Sequence, residues 1–70
     1  MPTPPNLSSR EREVLRHFGR GLTYLQIARR MGIACSTVDT YLRRVRVKSG
    51  AASGAELVRL AVILEQDTLE

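Results

Sequence analysis

Thr23-Tyr24-Leu25-Gln26-Ile27-Ala28-Arg29-Arg30-Met31-Gly32-Ile33-Ala34-Cys35-Ser36-Thr37-Val38-Asp39-Thr40-Tyr41-Leu42-Arg43-Arg44-Val45-Arg46-Val47-Lys48 carries two helical patterns parted by one glycine. The first pattern predicts a short helix over about Tyr24 to Met31, burying Leu25 or Ile27 together with Ala28 and Met31. Gly32 stops it, because glycine enters the left-handed region without a Cβ penalty. The second predicts a helix over about Ser36 to Lys48, with Val38, Tyr41, Leu42 and Val45 at helical spacing. Ser49-Gly50 breaks that helix. A short helix, a tight turn of about four residues and a longer basic helix form a helix-turn-helix, which presents its second helix to a major groove. An ordinary helical hairpin is the alternative, and the exposed face of the third helix decides between them.

At about 100° per residue, the apolar stripe of that helix centres between Val38 and Val45, which puts Ser36, Thr40, Arg43 and Val47 opposite it. Asp39 and Arg44 flank the outward face. These side chains suit the reading of base edges. Arg bonds guanine at two points, Thr offers a hydroxyl or meets the thymine methyl, and Asp accepts from cytosine N4. Arg44, Arg46 and Lys48 crowd the helix end, where they meet phosphates or complement the helix dipole.

Outward from this core, Ser8-Ser9-Arg10-Glu11, Thr23-Tyr24-Leu25-Gln26 and Ser53-Gly54-Ala55-Glu56 all fit the capping box, in which side chain and backbone satisfy each other at a helix start. A first helix is therefore expected over about Ser9 to Gly19, with Val14, Leu15 and Phe18 inward and Gly19 and Gly21 as a flexible stop. A fourth is expected over about Gly54 to Gln66, with Leu57, Leu60, Ala61 and Leu64 inward. No stretch alternates as a strand does. The fold class expected is all-α, a compact four-helix bundle. Its domain should occupy 7–66, with a Pro-rich linker or tail over 1–6 and a short tail over 67–70.

Seventy residues make one small domain. Eleven Lys and Arg against seven Asp and Glu give a net charge of +4, which points to a polyanion, nucleic acid before membrane. Cys35 is the only cysteine, so no internal disulfide forms. The first residues lack the pattern of a secretory signal, and no apolar run is long enough to span a bilayer. A cytoplasmic protein that meets no membrane is expected. His17 and Cys35 have no partners at zinc spacing, and neither a phosphate loop nor a nucleophile motif occurs. No catalytic residue, metal or cofactor is expected, and hence no enzyme.

Leu7-Ser8-Ser9-Arg10-Glu11-Arg12-Glu13-Val14-Leu15, Gly21-Leu22-Thr23, Ile27-Ala28, Gly32-Ile33, Thr37-Val38 and Ala55-Glu56-Leu57 together resemble the helix-turn-helix domains of LuxR-type regulators, also called FixJ- or NarL-type. The resemblance covers about Leu7 to Leu64. It implies a four-helix DNA-binding domain with the third helix reading DNA and the fourth pairing two copies. It also implies recruitment or exclusion of RNA polymerase. By position it puts Asp39, Thr40 and Arg43 on the base-reading places. Ser36 and Val47 complete the expected base-reading set, and Thr23, Tyr24, Thr37, Arg44, Arg46 and Lys48 are the expected backbone contacts.

The chain departs from the family pattern at several places. Asp39 replaces a common Lys or Arg and either accepts from cytosine or pairs with Arg43 one turn on. Leu25 replaces a backbone-contacting Lys. Ala34 stands where a capping Ser or Thr is usual, so Ser36 is expected to cap the third helix later. Ser49 replaces a core leucine. On the fourth helix, Val58, Val62 and Ile63 lie off the core stripe and make the expected homodimer surface. Two competing functions remain in view. One is the promoter-reading segment of a sigma factor, which Gly21 to Ala28 also resemble but which the capped fourth helix suits poorly. The other is a protein-interaction module that kept the fold and lost DNA binding.

Overall fold

The computed structural model describes residues 6–68, with side chains described through Glu65. Four helices follow in order: α1 (Ser9–Gly19), α2 (Tyr24–Met31), α3 (Cys35–Ser49) and α4 (Gly54–Thr68). No strand occurs among the described residues. The linker expected over 1–6 lies outside them except for Asn6, and the tail expected over 67–70 lies outside them in part.

The predicted caps explain where the helices start. Ser8 Oγ accepts from the Glu11 N–H at 3.1 Å while Glu11 Oε1 accepts from the Ser8 N–H at 2.9 Å. Thr23 and Gln26 exchange the same two bonds at 3.2 and 2.8 Å. The third box is split. Ser53 Oγ accepts from the Glu56 N–H at 3.3 Å, but Glu56 reaches one residue further back and accepts from the Ala52 N–H at 2.7 Å.

α3 departs from expectation at its start. It begins at Cys35, with Ala34 extended at the cap position (φ −77°, ψ 154°) and no side-chain cap. A capping hydroxyl must sit on the last extended residue, outside the helix. Ser36 is already inside, so it caps nothing, and its carbonyl instead accepts from Thr40 Oγ1 at 3.0 Å.

The core gathers Leu7, Val14, Leu15, Ile27, Ala28, Met31, Val38, Leu42, Val45, Leu57 and Ala61 from all four helices and the segment before α1. Of the two α2 candidates, Ile27 is buried and Leu25 is half exposed. Phe18, Tyr41, Leu60 and Leu64 pack against this core from its edge. α1 is the central element, lying against both α4 and α3, while α2 packs chiefly on α3. Gly19 proves to be a packing residue rather than a flexible stop. It is the last residue of α1, and a methyl placed on it would collide with the side chain of Ala61 on α4. Only hydrogen lets the two helices approach so closely. The reversal after α1 falls to Gly21, at φ +90°.

One charged residue enters this core. Glu11 is 2% exposed, and its Oε1 accepts from Lys48 Nζ at 2.8 Å as well as from the Ser8 N–H. The Lys48 hydrogen bond holds the carboxyl below the usual carboxylate range, against the opposing effect of burial. The start of α1 is thereby tied to the end of α3.

Candidate nucleic-acid interface

α2 ends where Gly32 turns left-handed (φ 67°, ψ 37°), and the N–H groups of Gly32 and Ile33 both donate to the Ala28 carbonyl. Residues 32–34 then pass directly into α3. A turn this tight fixes the angle between the two helices, and burial of Val38, Leu42 and Val45 fixes the rotation of α3 about its axis. Together they decide which side chains face outward.

Ser36, Thr40, Arg43 and Val47 are all exposed, on the side of α3 opposite its buried stripe. Val47 is 84% exposed, the most of the large apolar side chains left on the surface. An isolated valine in water among Arg43, Arg44 and Arg46 has apolar area to bury against a partner, and its cationic neighbours favour an anionic one. Thr40 donates its hydroxyl hydrogen to the Ser36 carbonyl, so it offers a methyl and lone pairs but no donor.

Of the two roles the sequence leaves open to Asp39, the ion pair is present: its Oδ2 lies 3.0 Å from Arg43 Nε, one turn along α3. Arg44 lies over the ring of half-buried Tyr41, with Cζ 6.0 Å from the centroid, which limits the sweep of its guanidinium. Arg46 is exposed and Thr37 half-buried on the same helix. At the start of α2, Thr23 is exposed as the cap. Tyr24 is half-buried with its ring edge-on to Phe18, centroids 6.4 Å apart.

Lys48, expected at phosphate, is paired with Glu11 in the bond described above, which supplies the buried carboxylate with a counter-charge. That tie links residues 37 positions apart, so spacing gave no sign of it. The capping box at Ser8 was the one visible clue, and it accounted for only one of the two bonds to Glu11 Oε1.

Cys35 is a free, exposed cysteine at the first position of α3. Half-buried His17 has its pKa lowered, first by burial and then by neighbouring Arg16, so the ring is neutral at pH 7. Among the described residues no group of three His, Cys, Asp or Glu is placed to hold a metal ion, and no helix is long and apolar enough to cross a membrane.

On α4, Leu57 and Ala61 are buried and Leu60 and Leu64 half-buried, as their spacing predicts. Val58, Val62 and Ile63 are 37%, 47% and 47% exposed. Val58 and Val62, about one turn apart, form a short apolar strip on a side of α4 that the monomer does not cover, and Ile63 lies further round the helix.

Residues 5–61 match the family model described as bacterial regulatory proteins, luxR family. The chain is 43% identical over 58 residues to the transcriptional activator protein EsaR of Pantoea stewartii, which covers 83% of this chain and 23% of that protein. It is 46% identical over 57 residues to the transcriptional regulatory protein FixJ of Azorhizobium caulinodans, covering 81% of this chain and 27% of that one. A probable transcriptional regulatory protein NarL of Mycobacterium tuberculosis is 39% identical over 61 residues, 87% of this chain and 28% of its own length. The chain thus spans about a quarter of the length of these relatives. No solved structure matches it significantly. With the four helices, the glycine turn and the exposed basic face of α3 already in place, the family match completes the identification: the chain belongs to the luxR family of bacterial regulatory proteins and comprises its helix-turn-helix DNA-binding domain.

Proposed function

We propose that this domain, spanning 7–66, binds double-stranded DNA sequence-specifically as the output unit of a cytoplasmic transcriptional regulator, with α3 in the major groove. The observation that carries this reading is the outward face of α3, where Ser36, Thr40, Arg43 and Val47 stand exposed beside Asp39. Ser36, Thr40, Arg43 and Val47 meet base edges, and Asp39 contributes to the same reading face. Thr23, Tyr24, Thr37, Arg44 and Arg46 meet the backbone on either side. Thr23 and Tyr24 stand at the start of α2, and the Tyr41 ring steadies Arg44. Lys48 belongs to the fold in this reading, because moving to a phosphate would strand the buried Glu11 carboxylate.

Two copies pair through Val58, Val62 and Ile63, and a two-fold pairing of this kind selects a pseudo-palindromic site. The strip is short, so the dimer is weak off DNA and forms on it. RNA polymerase is the further partner through which such binding acts on transcription. Selection of sites from a random duplex library, followed by titration of the selected duplex at several salt concentrations, tests the reading. A DNA reader enriches a defined sequence and loses affinity steeply with salt. Failure to enrich any sequence, with binding indifferent to salt, would leave a protein-interaction module of the same fold.

A further inference from the structure

A carboxylate on the face directed at a polyanion needs a reason, since it opposes every phosphate near it. The geometry points to one: we propose that Asp39 touches no base and acts through Arg43, holding its guanidinium so that only the terminal edge is free to engage guanine. This inference rests on the DNA-reading function proposed above and names what one of its residues selects.

Arg43 has two donor edges, the terminal pair Nη1/Nη2 and the side pair formed by Nε and one Nη. Asp39 Oδ2 sits 3.0 Å from Nε as an ion pair, on the side-edge half of the guanidinium. The terminal pair remains for two acceptors set side by side in a plane, which the O6 and N7 of guanine supply in the major groove. An arginine with both edges free also grips phosphate oxygens in several orientations and so binds without regard to sequence. Tying Nε therefore removes the less selective modes and keeps the selective one.

The local context supports the same role. The Arg43 side chain is 76% exposed, so nothing else in the described fold fixes it. An exposed ion pair of this kind contributes little to stability. Its value lies in the groove, where water is displaced and the pairing strengthens. The pair also presents no net charge, which lowers attraction to random DNA in step with the gain in selectivity. Thr40, between the two on the same face, has its hydroxyl hydrogen directed to Ser36 and does not compete for the Asp39 carboxylate.

The test uses the selected duplex with 7-deazaguanine, which lacks the N7 acceptor, placed at each guanine in turn. The wild-type protein should lose about tenfold in affinity at one guanine. Asp39→Ala should shrink that penalty to about threefold or less while binding random DNA more tightly. Asp39→Glu, which can still pair with Arg43 at the same helical spacing, should restore most of the penalty. Both substitutions are at a partly exposed surface position, and circular dichroism checks that the fold persists. An undiminished penalty in Asp39→Ala would overturn the positioning role while leaving sequence-specific binding intact. A second duplex series with N4-methylcytosine at each cytosine checks the other role: a wild-type loss at one cytosine that Asp39→Ala abolishes would show instead that Asp39 reads a base directly. Absence of any selected site for the wild type would remove the DNA-reading proposal and this one with it.

Discussion

Lys48 Nζ and Glu11 Oε1, 2.8 Å apart, join the last turn of α3 to the first turn of α1. The same oxygen closes the capping box with Ser8, so one atom serves both a helix start and a contact between helices. Glu11 has its pKa lowered below 4.5, chiefly by the Lys48 bond. A depressed carboxylate contributes stability that is present above its unfolded pKa and is lost as pH falls through its folded value. Stability should therefore drop as pH goes below about 4.5, beyond the general effect of acid. Glu11→Gln should cost about 1–2 kcal/mol at pH 7, and its deficit against wild type should narrow in urea melts at progressively lower pH. A deficit that stays constant down to pH 3 would separate acid sensitivity from this pair. His17, whose pKa is also lowered, adds a loss of the same sign that starts nearer neutrality, below 6.5. Melts of His17→Gln distinguish the two.

Arg43→Ala should weaken binding to the selected duplex by about 1–3 kcal/mol and relax preference at one base position. Titration on selected and random duplexes reads both effects. Equal weakening on the two would place Arg43 at a phosphate.

Thr40 offers DNA a methyl group and no donor hydrogen. Replacing with uracil the thymine it faces should cost about 0.8 kcal/mol, the transfer value of one buried methyl-sized group. Thr40→Ser, which keeps the hydroxyl and drops the methyl, should show no further loss on the uracil duplex. A full additional loss there would mean the Thr40 methyl packs against something other than the thymine methyl.

Val58 and Val62 lie one turn apart on the uncovered side of α4, and pairing across a two-fold axis would bring each near its mate. The double substitution Val58→Glu, Val62→Glu puts like charges at that axis and leaves Leu57 and Ala61 in the core untouched. Helical circular dichroism should persist and cooperative filling of two half-sites should disappear, with weak binding to a single half-site surviving. Cooperative filling by the variant would move the pairing surface elsewhere.

Most of the fold was legible in sequence because its signals are local. The boxes at Ser8 and Thr23 and the left-handed glycine at Gly32 fix helix limits within a few residues of chain. The outward face of α3 was legible too, since the positions of Val38 and Val45 determine what stands opposite them. Three features were not. The start of α3 at Cys35 goes against the cap preference of Ala34, because packing and the tight turn override a missing side-chain bond worth about 1 kcal/mol. Lys48 looked like its cationic neighbours, because nothing local reveals a carboxylate brought from α1. Glycine at position 19 fitted a helix stop, and only the approach of α4 gives it another role.

Gly19 and Ala61 share a space that holds one methyl carbon, and that carbon belongs to Ala61. The two positions, one on each helix, behave as a single volume, so neither residue's tolerance can be described apart from the other's. Gly19→Ala alone should destabilise the domain by about 1–3 kcal/mol through overpacking. Ala61→Gly alone should cost about 1 kcal/mol through helix propensity and a lost contact. Combined, they hand the methyl across the interface, and thermal melts should show the pair less damaging than the sum of its parts. The seam between α1 and α4 would then accept the carbon from either side, which makes it a point where a chain can drift in sequence while its geometry stays still.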